Sequence, residues 1–194
     1  MISLENIVKQ LSDTELLDQL GNSVGADKEQ IGAFTQIGLP TLMEALNRNT
    51  NDPDGAASLT QALTKHKGAN LDDLSGFLKN VDTDDGEKIV HHILGDKTDK
   101  VNDQLSKSTG LDKSQIMKLL IQYGPLLLSY LGNKQDEDHL DSGGVSNLTT
   151  SLMGMFANNS QGGGNDLLAL AGSMLGDNDN NSGGLLGNLL GKLF

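Results

Sequence analysis

Two stretches of this chain repeat at a fixed distance of 85 residues. Gln19-Leu20 recurs as Gln104-Leu105, Gly25 as Gly110, Asp27-Lys28 as Asp112-Lys113, Gln30-Ile31 as Gln115-Ile116 and Pro40 as Pro125, with Leu46 and Leu131 extending the series. A gapless register of this length predicts one structural unit used twice. Leu59 and Leu63 recur as Leu148 and Leu152 at an offset of 89, which implies a small insertion between them. At an offset of 96, Leu74 and Gly76 align with Leu170 and Gly172, and Ile89, Val90, Ile93, Leu94 and Gly95 align with Leu185, Leu186, Leu189, Leu190 and Gly191. The expectation is two copies, 1–95 and 96–194, joined by a connection at 95–100 too short for free tumbling. They should pack as a continuous array.

The unit reads as helices. Ile2 to Leu11 and Thr14 to Leu20 form a predicted hairpin, the second helix opened by the capping-box spacing of Ser12 and Glu15. Asp27 with Gln30 three residues on predicts the start of a third, which Pro40 should kink or break because proline removes a backbone donor and crowds the previous turn. Asn-Asp-Pro-Asp-Gly at 51–55 is a turn signal, followed by a helix over Ala56 to Lys65 and another over Leu71 to Leu78 capped near Asn70. In Asp84 to Gly95 a capping acid, Asp84 or Asp85, precedes the stripe Ile89, Val90, Ile93, Leu94 and a terminal glycine. No alternating strand pattern occurs, and the predicted class is all-α, a duplicated multi-helix unit with a Gly/Asn-rich C-terminal portion.

Composition narrows the function. A net charge of -12, with Arg48 the only arginine, argues against a nucleic-acid surface, since phosphate binding rests on clustered cations. With no cysteine there is no thiolate metal site and no Cys nucleophile. The N-terminal stretch carries Glu5, Asp13, Glu15 and Asp18 and lacks the pattern of a signal peptide, and no 18-residue apolar run exists. A cytoplasmic protein is the expectation.

Gly86, Ile89, His92, Leu94 and Gly95, followed by Gly110-Leu111 and Gly124-Pro125-Leu126-Leu127-Leu128, resemble the YidB-like bacterial family, catalogued as a domain of unknown function. The similarity covers Leu71 to Gly132, and the Gly-Gly-Leu-Leu-Gly character of the tail resembles the family too. The resemblance implies a soluble all-helical fold with no established activity and no catalytic residues to transfer. The upstream copy marks a departure from the shorter members.

Candidate chemistry is sparse. His91 and His92 are adjacent and point about 100 degrees apart on a helix, so they cannot chelate one metal from one face. His66 and His139 lie far away in sequence. The acidic cluster Asp82, Asp84, Asp85 and Glu87 lacks the acidic twelfth residue of a calcium loop, as does Asp177 to Asn181. No nucleophile elbow or phosphate-binding loop is present, and Gly162-Gly163-Gly164 reads as a connector. No catalytic, metal or cofactor site is assigned, and His92 is the weak candidate for a polar ligand or metal pocket, the one alternative that would make the protein an enzyme or small-ligand binder.

The tail gives the best-motivated surface. Leu185, Leu186, Leu189, Leu190, Leu193 and Phe194 share one helical face. A segment this short and glycine-rich is marginal alone, so its stripe needs cover on its own chain, on another subunit or on a membrane. Lys192 is the only cation the tail offers to anionic lipid, which makes the membrane the weaker choice. The reading is a non-enzymatic interaction or scaffolding module that associates with itself or another protein.

Overall fold

The computed structural model describes residues 3–159 and 164–176. Its elements are α1 (Leu4–Leu11), α2 (Thr14–Val24), α3 (Lys28–Asn49), α4 (Pro53–His66), α5 (Leu74–Lys79), α6 (Thr83–Leu94), a 3₁₀ turn (Gly95–Lys97), α7 (Thr98–Thr109), α8 (Lys113–Asp138), α9 (Ser142–Asn159) and α10 (Gly164–Leu175). The class is all-α, with no strand among the described residues.

Short polar side chains set the helix starts, often one to three residues from where sequence spacing put them. Asp13, not Ser12, caps α2, its carboxylate accepting from the Glu15 N–H at 2.9 Å, while Ser12 closes α1 by donating to the Val8 carbonyl. Asp82, not Asp84 or Asp85, caps α6 and accepts from both of their N–H groups. Asn70 makes only a local turn to the Asp72 N–H, and Asp73 starts the shorter α5. In each case several short polar side chains compete within one turn; at α2 and α6 the winner is the residue whose backbone is extended where the helix begins.

Pro40 does not break its helix. α3 runs unbroken through it, as α8 runs through Pro125. Interior proline costs about 3 kcal/mol in an isolated helix. Here burial offsets that cost: Ile31, Phe34, Ile37, Leu39, Leu42, Met43 and Leu46 of α3 are all at most 1 % exposed. The carbonyl that Pro40 leaves without its donor belongs to Gln36, an exposed residue among buried neighbours.

α3 and α8 are the two central helices. α4 packs on α8 and α9 on α3, while α6 covers another side of α8 and α10 another side of α3. Residues from Leu4 to Leu175 join in one core cluster. At the contact of α3 with α8 the Tyr123 ring meets Phe34 edge to face at 5.2 Å. The Thr35 hydroxyl gives its proton to the Ile31 carbonyl at 2.9 Å, so the Tyr123 hydroxyl, 2.8 Å away, is the donor in their mutual bond.

The two stretches related by the offset of 85 meet reciprocally. Gln30 accepts the Asp27 N–H with its Oε1 and donates from Nε2 to the Gly110 carbonyl at 3.1 Å. Gln115 accepts the Asp112 N–H and donates to the Gly25 carbonyl at 2.7 Å. Gly25 (φ 76°) and Gly110 (φ 72°) end α2 and α7 in the left-handed region. Each glutamine thus completes its own capping box and also ties down the loop that ends the other stretch's first helix. Gln30→Ala and Gln115→Ala are each expected to lower stability by about 0.5–1.5 kcal/mol in urea unfolding.

α8 ends at His139 in the left-handed region (φ 51°), the only non-glycine residue with positive φ among those described. An L side chain there costs about 1–2 kcal/mol. His139→Gly is therefore expected to raise the unfolding midpoint, by about 1 kcal/mol once the extra entropy of glycine in the unfolded chain is subtracted. Chemical denaturation measures it.

Candidate functional site

The end of α3, the start of α4 and the end of α6 enclose a cleft of about 310 Å³ lined by Leu46, Arg48, Asn49, Asp52, Gly55, Ser58, Leu59 and His92. Two of its polar groups, Asn49 and Arg48, fasten other helices. Asn49 Nδ2 donates to the Ile93 carbonyl at 3.1 Å, holding the end of α6 against α3. Arg48 Nε pairs with Glu44 at 2.8 Å, and another of its nitrogens donates to the Gly172 carbonyl of α10 at 3.2 Å. Gly55 packs so closely on the Asn49 carbonyl that a Cβ would lie 1.9 Å from it, which fixes glycine at this bend.

His92 is exposed and has Ser58 Oγ at 3.3 Å from its Nε2. Its neighbour His91 turns outward and faces Glu87 at 4.0 Å. His66 lies 3.9 Å from Asp85, and His139 stands at the far end of α8. The four histidines are thus dispersed, and no group of three metal-ligating side chains converges among the described residues. Asp82, Asp84 and Asp85, which suggested a calcium loop, serve as the cap of α6 and its first turn.

A larger cleft of about 710 Å³ lies between α1, α2 and the start of α5, where Gln19 and Ser75 are joined by hydrogen bonds. Sequence reading did not single it out. Its lining includes Lys9, Asp13, Glu15, Asp72 and Asp73, of which Asp13 and Asp73 act as caps.

The apolar stripes form the other candidate. On α6, Ile89, Val90, Ile93 and Leu94 are buried, and this helix lies on α8. On α10, Leu170, Ala171, Met174 and Leu175 are buried, and this helix lies on α3. The same spacing recurs at Leu185, Leu186, Leu189 and Leu190, which with Leu193 and Phe194 lie outside the described residues. Within the described body, then, the stripe that lies on α3 is 170–175.

These features define an all-α protein in which two long helices are each covered by shorter helices bearing one recurring stripe. The chain belongs to the bacterial family DUF937, described as a bacterial protein of unknown function, whose model matches residues 6–134. This agrees with the YidB-like resemblance carried by the glycine and leucine motifs. The match begins in α1, so the upstream stretch is part of what the family shares and not an addition to it. No curated protein and no solved structure matches the chain. No helix among the described residues is long and apolar enough to cross a membrane.

Proposed function

We propose that this protein is a helical interaction module that associates with itself through the C-terminal stripe Leu185, Leu186, Leu189, Leu190, Leu193 and Phe194. One observation carries the reading: both long helices are already covered by helices bearing the same stripe, α6 on α8 and α10 on α3. Among the described residues Met155 is the only large hydrophobic side chain that is exposed. A further stripe of six apolar residues therefore has no vacant apolar strip waiting for it on the described body, and a second copy adds an equivalent stripe of its own.

The polar clefts support this reading over a catalytic one, because Asp13 and Asp73 in one are engaged in capping and Arg48 and Asn49 in the other in holding neighbouring helices. His92 with Ser58 is the remaining pair from which a small-ligand site would start. Light scattering of the full chain and of a truncation after Asn181 tests the proposal. The full chain is expected to associate and the truncation to be monomeric with unchanged helicity. Two monomers would overturn self-association, and a loss of helicity on truncation would assign the tail to its own chain.

A further inference from the structure

We propose that the face of α3 that holds α10 is the docking site for the stripe 185–191 of a second copy, which enters in exchange with α10. This rests on the self-association reading and names its receptor.

The two segments match position by position. Leu170-Ala171-Gly172-Ser173-Met174-Leu175-Gly176 recurs fifteen residues later as Leu185-Leu186-Gly187-Asn188-Leu189-Leu190-Gly191. Both read apolar pair, glycine, small polar residue, apolar pair, glycine. In α10 both apolar pairs are buried, so this is the pattern the α3 face selects.

The polar anchors of α10 are blind to side-chain identity. Arg48 donates to the carbonyl of Gly172 at 3.2 Å, and Lys100 donates to the carbonyl of Gly176. Main-chain acceptors recur at Gly187 and Gly191, so any helix with this stripe can be held in the same way. A contact specific to α10 is the one between the Thr41 oxygen and the Met174 sulfur at 3.7 Å; the Thr41 proton goes to the Ile37 carbonyl at 2.7 Å, so the sulfur is held by packing, which Leu189 would keep.

Sequence on both sides of α10 has linker composition, with Gly162-Gly163 before it and Asn, Asp, Ser and Gly from Asn178 to Gly184 after it. α6 has no such flanks, being joined to α7 by the 3₁₀ turn Gly95–Lys97. Exchange therefore belongs to α10. A second copy is the occupant because exchange within one chain leaves one stripe uncovered whichever segment docks. Between two copies, the displaced stripes can cover each other, and trading like elements keeps the contacts of each face.

The chain has no cysteine, so introduced pairs report without background. Full-length Thr41→Cys is mixed with full-length Leu189→Cys and oxidised. The expected result is a mixed disulfide dimer, with a much smaller yield when Asn188→Cys replaces Leu189→Cys. Thr41→Cys with Met174→Cys in one chain is the folding control and should close internally. Should that control fail to close, Arg48→Cys with Gly187→Cys, at the exposed edge of the same face, decides instead. Absence of the mixed dimer, while the full chain associates and the truncation after Asn181 does not, overturns the α3 receptor and leaves self-association standing. Absence of association in the full chain removes both. Closure of Thr41→Cys/Leu189→Cys within a monomer overturns the second copy as occupant.

Discussion

Gly86→Ala is expected to destabilise the protein by about 1–3 kcal/mol, even though alanine is the better helix former by about 1 kcal/mol. A Cβ at Gly86 would lie 2.5 Å from the carbonyl oxygen of Ile121 and 2.8 Å from its Cγ2. The carbonyl is backbone and cannot swing away. It is also the group that Pro125, four residues on in α8, deprives of its helical donor. Glycine lets α6 come close enough to bring its Cα–H against that oxygen, a weak compensation for the lost bond. Gly154→Ala is the matching control. Gly154 sits in α9 with nothing within 4 Å of a Cβ, so the same change is expected to stabilise by about 0.5–1 kcal/mol. Opposite signs for one substitution in two helices, read by urea unfolding, are the signature; a stabilising Gly86→Ala would refute the close approach.

Tyr123→Ala is expected to cost about 3–5 kcal/mol, the range for emptying a large aromatic site. Its ring is fully buried at the contact of α3 with α8, and the cavity would open among Phe34, Thr35 and their neighbours. Tyr123→Phe keeps the ring and gives up the bond to Thr35, for a loss of about 1 kcal/mol. Thr35→Val costs more, about 1–3 kcal/mol, because it leaves the tyrosine hydroxyl buried with no acceptor. Burial pushes the Tyr123 phenol well above its ordinary value of 10, with the Thr35 bond opposing in part. The neutral form is therefore the one the fold favours. The unfolded chain ionises first, so this contribution is fully present below pH 10 and declines as pH rises above it. Tyr123→Phe should flatten that alkaline decline. An unchanged alkaline limb would show that Tyr123 does not control it.

Much of the architecture was legible because helices are local. The capping box at Asp27 and Gln30 and the stripe of Ile89, Val90, Ile93 and Leu94 each lie within a few residues, and the structure keeps both. Choice among neighbouring caps was less legible, as at Ser12 against Asp13, since several short polar side chains can serve one helix end. The break allowed for at Pro40 does not occur, for a related reason. The cost of an interior proline is visible in one helix, whereas the burial that offsets it comes from all the helices packed around that one.

Candidate chemistry followed the same division. His91 and His92 invited a site when read in line, yet they point away from each other, one toward Glu87 and the other toward Ser58 on α4. Ser58, Asn49 and Arg48, which line the cleft with His92, come from two other helices and carry no shared sequence signal. The larger cleft beside α5 joins residues near positions 10 and 73 and was equally invisible.

The repeated residues mark the boundary. Sequence alone determined that Gln30 and Gln115, like Gly25 and Gly110, hold equivalent places, because an offset of 85 can be read along the chain. Only the tertiary structure decided that each glutamine reaches the other stretch's glycine, and that α10 is the stripe lying on α3. The physical reason is range. Caps and stripes are selected by bonds spanning three or four residues, whereas the partner of a stripe is chosen by shape and by backbone acceptors more than eighty residues away.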